Sequence, residues 1–215
     1  MLTNGRSKPV GTFGTLRSYP EGTQLYAQGD AAEDVYLIHR GVVKLIWGNE
    51  TGREAILGLR WPNWFLGAPE RIAACSNSAS AVTVVPSTLE RIPGDRFLSL
   101  LHANSDFAMR VQEAQSLEIL EQMISLGELA CTSARSRLER LLRHLTSSVP
   151  QHVCLPDARL QLPLKRKELA ALLAITPEHL SRILRDMADD GAISLRNEWI
   201  IVQQPRKGPM DLQRA

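Results

Sequence analysis

The spacing of apolar residues changes character along this chain. Up to about residue 93 they come in short β-rich runs at 34–39 (DVYLIH), 42–47, 55–59 and 81–85. Turn clusters such as Pro20-Glu21-Gly22, Gly29-Asp30, Arg40-Gly41 and Gly48-Asn49 separate them. Short strands with glycine-rich turns predict a small antiparallel barrel or sandwich of jelly-roll type. From there the period lengthens to that of a helix. Residues 95–101 read as a short helix and 104–130 as a long one, free of proline. Val111, Gln115, Ile119, Gln122, Leu126 and Leu129 step along it by three and four, the spacing of a coiled-coil seam and the expected dimer interface. A second stripe, Leu117, Leu120 and Ile124, is expected to pack on the barrel.

The pattern breaks at Thr132-Ser133, a hinge followed by an amphipathic helix at 134–147 with Leu138, Leu141, Leu142 and Leu145 on one face. A looser stretch from 150 to 163 holds a short strand near 159–162. Residues 165–187 (KRKELAALLAITPEHLSRILRDM) then read as two short helices joined by a tight turn. Thr176 can cap the second helix and Pro177 suits its first position, where an N–H has no partner to lose. Leu180, Ile183, Leu184 and Met187 form its apolar face, with Glu178, His179, Ser181, Arg182 and Arg185 opposite. A helix pair that buries one side and offers the other to a major groove is a helix-turn-helix. Ala174 stands where such turns often hold Gly, and a left-handed backbone there would cost roughly 1 kcal/mol. Segments 193–195 and 199–202 flank a turn at Arg196-Asn197-Glu198 and predict a two-stranded wing.

The expected fold class is thus α+β: an antiparallel β-roll, a long dimerisation helix and a C-terminal winged helix-turn-helix. The expected boundaries are a flexible start at 1–18, the β-roll at 19–103, helix and hinge at 104–132, the DNA-binding domain at 133–204, and a tail at 205–215.

Charge sharpens this picture. The net charge is only +2, but residues 133–215 hold 14 Lys/Arg against 9 Asp/Glu, while residues 1–132 carry a net −3. One basic end suits a polyanionic partner. Three separated cysteines, Cys75, Cys131 and Cys154, fit neither a disulfide framework nor a zinc site, so a reducing, cytoplasmic setting is expected. No apolar run is long enough for a membrane span. A metal-dependent enzyme on a β-roll needs clustered histidines, and His39 is alone between 19 and 93, so neither catalysis nor a metal or cofactor is expected.

The order of parts resembles the CRP/FNR family of bacterial transcription regulators. The resemblance rests on Gly29-Asp30, Val35-Tyr36-Leu37-Ile38, Arg40-Gly41-Val42-Val43-Lys44-Leu45, Trp64-Phe65-Leu66-Gly67, Ser80-Ala81 and Arg91-Ile92-Pro93. In the second half it rests on Leu169-Ala170 and Glu178-His179-Leu180-Ser181-Arg182. It implies a homodimer acting on double-stranded DNA, with RNA polymerase as a further partner. Glu178, Ser181 and Arg182 would touch bases, in a pattern nearer the FNR branch and its TTGAT-like half-sites. Lys165, Arg166, Lys167, Thr176, His179, Arg185 and Arg196 would contact the DNA backbone, adding affinity and salt dependence without sequence choice.

The effector pocket implied by the resemblance comprises Gly67, Ala68, Ser80, Ala81, Gln122 and Met123. Cyclic-AMP binders of the family carry Glu where this chain has Ala68, Arg where it has Ala79, and a Thr-Ser pair where it has Gln122-Met123. The effector is therefore expected to be something else, or absent. Iron–sulfur sensors of the family need several N-terminal cysteines, and none precedes Cys75. The competing expectation is a ligand-binding regulatory module acting on a protein partner, which leaves the polar face of the second helix without a role.

Overall fold

The computed structural model describes residues 12–148, 154–155, 159–160, 164–196 and 199–202. Eight strands come first: β1 (Thr15–Tyr19), β2 (Gln24–Tyr26), β3 (Asp34–Arg40), β4 (Val43–Gly48), β5 (Glu54–Arg60), β6 (Phe65–Leu66), β7 (Ser80–Thr83) and β8 (Ser87–Pro93). The short helix α1 (Ala68–Ile72) lies between β6 and β7. They form two four-stranded antiparallel sheets, ordered β1-β8-β3-β6 and β2-β7-β4-β5. This is the predicted β-roll.

β3 explains how two layers become one body. Val35, Tyr36, Leu37 and Ile38 are all buried, and alternation along a strand sends them to opposite faces. Tyr36 and Ile38 join Val43, Leu66, Ala81 and Leu89 between the sheets. Val35 and Leu37 join Phe65, Ile92, Phe97, Phe107 and Val111, a second core between sheet and helices. Gly41, at φ 103°, turns the chain from β3 into β4 where a Cβ would lie 2.1 Å from the Ser87 hydroxyl.

Helix α2 (Gly94–Ala103) runs into α3 (Ser105–Cys131), 27 residues long. Asn104 caps α3, its Oδ1 accepting the Phe107 N–H at 3.0 Å. Phe107 then enters an aromatic cluster, 4.5 Å from Phe13, 5.7 Å from Phe97 and 5.8 Å from Phe65 between ring centroids. The hinge leads to α4 (Ala134–Ser148), followed by β9 (Cys154–Leu155), β10 (Arg159–Leu160), α5 (Arg166–Leu172), α6 (Pro177–Asp189), β11 (Ile193–Arg196) and β12 (Trp199–Val202).

Four expectations need correction. The start of the chain read as flexible contains β1 from Thr15, paired with β8, because buried Glu90 accepts the backbone N–H groups of Phe13 and Gly14. The wing is not two-stranded: β10 and β9 extend the β11–β12 pair into a sheet ordered β11-β12-β10-β9. Leu120 and Ile124 do not cover the barrel but are 45% and 48% exposed. Val111, placed in the seam by its spacing, is 2% exposed and belongs to the aromatic core of its own chain.

The C-terminal half docks on the β-roll. α5 packs against β5, and Leu59 and Trp61 share one core with Leu138, Leu142, Leu169, Leu173 and Leu180. Lys44 of β4 forms an ion pair with Glu168 of α5 beside that contact. Among the described residues no helix is long and apolar enough to cross a membrane.

The turn between α5 and α6 carries measurable strain. After Leu173, the Ala174 N–H bonds to Ala171 O at 3.1 Å and the Ile175 N–H to Ala170 O at 3.0 Å, the paired bonds of a Schellman cap. Ala174 is therefore left-handed, at φ 53°. The same cap closes α6 with Gly191 at φ 72°. Ala174→Gly should relieve the Cβ clash at this exposed position and raise stability by up to about 1 kcal/mol, read as a higher thermal midpoint.

Candidate nucleic-acid interface

α6 is built to present one face. Thr176 Oγ1 accepts the His179 N–H at 3.2 Å, and Pro177 follows as the first helical residue. Leu180, Ile183, Leu184 and Met187 are buried against α5, α4 and the strand β11 that follows. Thr176, Glu178, His179, Arg182 and Arg185 are exposed. Thirteen residues make a rod about 20 Å long, which a major groove about 12 Å wide admits.

Glu178 sits in the first turn, where its own backbone N–H, the Thr176 hydroxyl and Arg182 hold its carboxyl below the usual carboxylate range. It is an anion at neutral pH, able to accept from a cytosine amine or to align Arg182. The Ser181 hydroxyl donates to Pro177 O at 2.9 Å, so it meets a base or phosphate only as an acceptor or after turning away. Of the three residues expected at bases, two are exposed and one is half-buried.

The expected backbone contacts divide by their surroundings. Lys165, Arg166 and Lys167 are exposed where α5 begins, and Arg185 is exposed one turn after Arg182. Arg196 ends β11, and its side chain lies outside the described residues. The arginines of α4 are engaged within the chain. Arg135 pairs with Glu139 and Asp190, Arg137 donates to Thr132 O and Leu173 O, and Arg140 pairs with Glu128. Asp186, a second acidic residue of the presented face besides Glu178, lines a shallow concavity with His179, Arg182 and Ile183.

The residues expected at the effector pocket lie in different surroundings. Ala68 is fully buried in the aromatic core and Ala81 in the inter-sheet core. Ser80 accepts the Gln28 N–H at 2.9 Å. Gly67 adopts φ 75° ahead of α1. Gln122 and Met123 are exposed on α3. Glu70 and Arg71 are also engaged, with Ser78 and Asp95 respectively.

Two ion pairs escaped sequence reasoning. Lys44–Glu168 joins residues 124 apart, a separation no local pattern reports. Arg60, 5% exposed, pairs with Glu118 of α3; a lone arginine closing an apolar strand (AILGLRW) was its signal. His39 lies 2.9 Å from the buried Glu90 carboxylate, and Cys75 and Cys131 are both exposed thiols.

Two family models match the chain. Residues 16–104 match the cyclic nucleotide-binding domain and residues 136–207 the Crp-like helix-turn-helix domain. The chain is 26% identical to the cAMP-activated global transcriptional regulator CRP of Salmonella typhimurium, over 89% of this chain and 90% of that protein. It is 28% identical to the cyclic AMP receptor protein of Thermus thermophilus, over 83% of this chain and 79% of that one. The solved structure of a CRP/FNR-family transcriptional regulator from Thermus thermophilus superposes with a TM-score of 0.74 at 18% identity, covering 88% of this chain and 94% of that one.

The α5 dock gives a pH signature. Burial pushes the Glu168 carboxyl up, but Lys44 and the Lys165 backbone N–H outweigh it, and the net shift is downward. A carboxyl depressed in the folded state stabilises fully above its unfolded pKa, about 4.3, and loses that contribution as pH falls through the lower folded value. Thermal midpoints of Glu168→Gln should therefore lie below wild type at pH 7 and converge with it below about pH 4.

Proposed function

A cyclic nucleotide-binding domain followed by a Crp-like helix-turn-helix makes this chain a member of the CRP/FNR family of DNA-binding transcription regulators, and from that premise we propose that it reads palindromic DNA as a homodimer. The observation that carries the reading is α6, whose large apolar residues Leu180, Ile183, Leu184 and Met187 are all buried while Glu178, His179, Arg182 and Arg185 face outward. Arg182 donates in a fork to a guanine, Glu178 accepts from a cytosine amine, and Ser181 meets a thymine or a phosphate. That triplet supports TTGAT-like half-sites. Lys165, Arg166, Lys167, Thr176, His179, Arg185 and Arg196 hold the duplex backbone.

α3 supports the dimer, through a face rotated from the one its spacing suggested. At about 100° per residue, Met109, Leu120, Met123, Ile124 and Gly127 lie opposite Phe107 and Val111, which hold the helix to its own β-roll. Met123 is 63% exposed and the adjoining Leu126 67%. Such a run of exposed large apolar side chains marks an interaction surface, and a second α3 of the same chain matches it in length and pattern. Ile119 and Leu126 lie to one side of this face, Leu129 lies on the Val111 side about five turns further along, and Gln115 sits half-buried toward the β-roll.

Cyclic AMP is not the effector in this reading. With Ala68 and Ala79 in place of the family's ribose and phosphate partners, an anionic phosphate meets no free cation there, and charge-assisted bonds supply much of such binding. The regulator acts cytoplasmically, on an effector of other chemistry or on none, with RNA polymerase as its protein partner.

Two experiments test this. In gel shifts on paired TTGAT-like half-sites one helical turn apart, with or without cyclic AMP, wild type should bind equally and prefer the palindrome to scrambled DNA. Arg182→Ala should weaken binding by about 1–3 kcal/mol and relax choice at one base, whereas Lys167→Ala should weaken all sequences alike and lower the salt slope by about 1. Equal affinity for scrambled DNA, unaffected by Arg182→Ala, would refute the reading. Separately, Leu120→Glu with Met123→Glu should give a monomer by sedimentation velocity and abolish preference for two half-sites over one.

A further inference from the structure

Beyond Val111, α3 has no buried side chain, yet it stays against the β-roll. The tie is polar. Arg60, at the end of β5, donates to Glu118 Oε1 from Nε at 2.9 Å and from its terminal nitrogen at 2.6 Å. Its other terminal nitrogen donates to Leu59 O at 3.2 Å, and the guanidinium lies 5.0 Å from the centre of the Trp64 ring. A Cβ on Gly58 would stand 2.8 Å from that guanidinium, so the strand makes room for it. Both side chains are largely shielded, at 6% and 16% exposure. A buried guanidinium without an anion is costly, and here the anion is supplied by the chain itself.

We propose that Glu118 is a tethered counter-anion occupying an anion site at Arg60, so that the long helix is held to the β-roll by a residue of the chain in place of a bound effector. The surroundings agree. Glu121, half-buried one turn along, is pushed up by burial and by Glu118, and the charges of Arg60 and Arg140 only partly offset this. The Tyr26 hydroxyl is raised by burial and by Glu70, and the charges of Arg60 and Glu118 also act on it. An anionic small molecule entering here must displace Glu118 and so release α3. Beyond Glu118, the side-chain bonds of α3 among the described residues run to its own turns and to α4.

This inference rests on the reading of α3 as the element linking the β-roll to the DNA-binding half, but its test does not need DNA. Hydrogen–deuterium exchange on the full chain should show residues 114–124 exchanging roughly tenfold faster in Glu118→Gln than in wild type, with β3 and β8 unchanged. In Glu118→Ala, sodium acetate should raise the thermal midpoint relative to sodium chloride at equal ionic strength, because a free carboxylate refills the vacated site. Wild type should show no such difference. Acetate should not restore slow exchange in α3, since the untethered anion binds Arg60 without holding the helix. Unchanged exchange in Glu118→Gln, or an acetate effect equal in wild type and variant, would overturn the proposal. If wild type binds no DNA, the proposed function fails while these two readouts still decide the role of Glu118.

Discussion

The long helix α3 is held to its own β-roll chiefly at two places, and the rest of the molecule is arranged from them. At its start, Asn104 caps the helix and Phe107 and Val111 enter the aromatic core with Phe13, Phe65 and Phe97. Three turns later, Glu118 meets Arg60. The first contact is mainly apolar; the second is an ion pair whose partners each lose solvation and offset that loss chiefly through each other, with Leu59 O and the Trp64 ring also meeting the guanidinium. Between and beyond them the helix exposes Met109, Leu120, Met123 and Ile124. One element thus has an anchored end, a polar fastening and an open apolar face.

The DNA-binding half hangs on the same β-roll by a different route. α5 lies on β5 with Lys44 paired to Glu168, while Arg60, on that same strand, reaches α3. β5 therefore touches the long helix and the helix-turn-helix at once. A change at Arg60 has a short physical path, one strand wide, to the element that positions α6. The hinge at Thr132-Ser133 supplies a second path through α4, fastened by Arg137 to Leu173 O and by Arg140 to Glu128.

Charge on the C-terminal half divides accordingly. The arginines of α4 are paired inside the chain and act as structural fasteners, whereas Arg166, Lys167, Arg182 and Arg185 remain exposed around α5 and α6. A count of basic residues alone would have pooled the two groups. Position relative to the α4–α6 packing separates them.

Much was legible in the chain alone, wherever a local rule suffices. The short β-rich runs between turn clusters in the first part, the period of 3.6 after them, the Thr176-Pro177 start of α6 and the left-handed cost at Ala174 each follow from neighbours a few residues apart, and each stands in the structure. The exposed face of α6 was equally readable, since its four buried apolar residues recur at helical spacing. The fold class followed from the order of these parts. Other features were set only by packing. Val111 fits a coiled-coil spacing, but which stripe of a helix turns inward depends on where the aromatic core lies, and Phe13 and Phe97 come from elsewhere in the chain. β9 is too short to announce itself, and β1, largely polar and exposed, carries no apolar run; both exist because β8 and β10 lie beside them. The pairs Lys44–Glu168 and Arg60–Glu118 join residues 124 and 58 apart. Spacing reports neighbours along the backbone, while a buried charge takes the partner that the closed fold brings within hydrogen-bonding distance, and that choice is made in three dimensions.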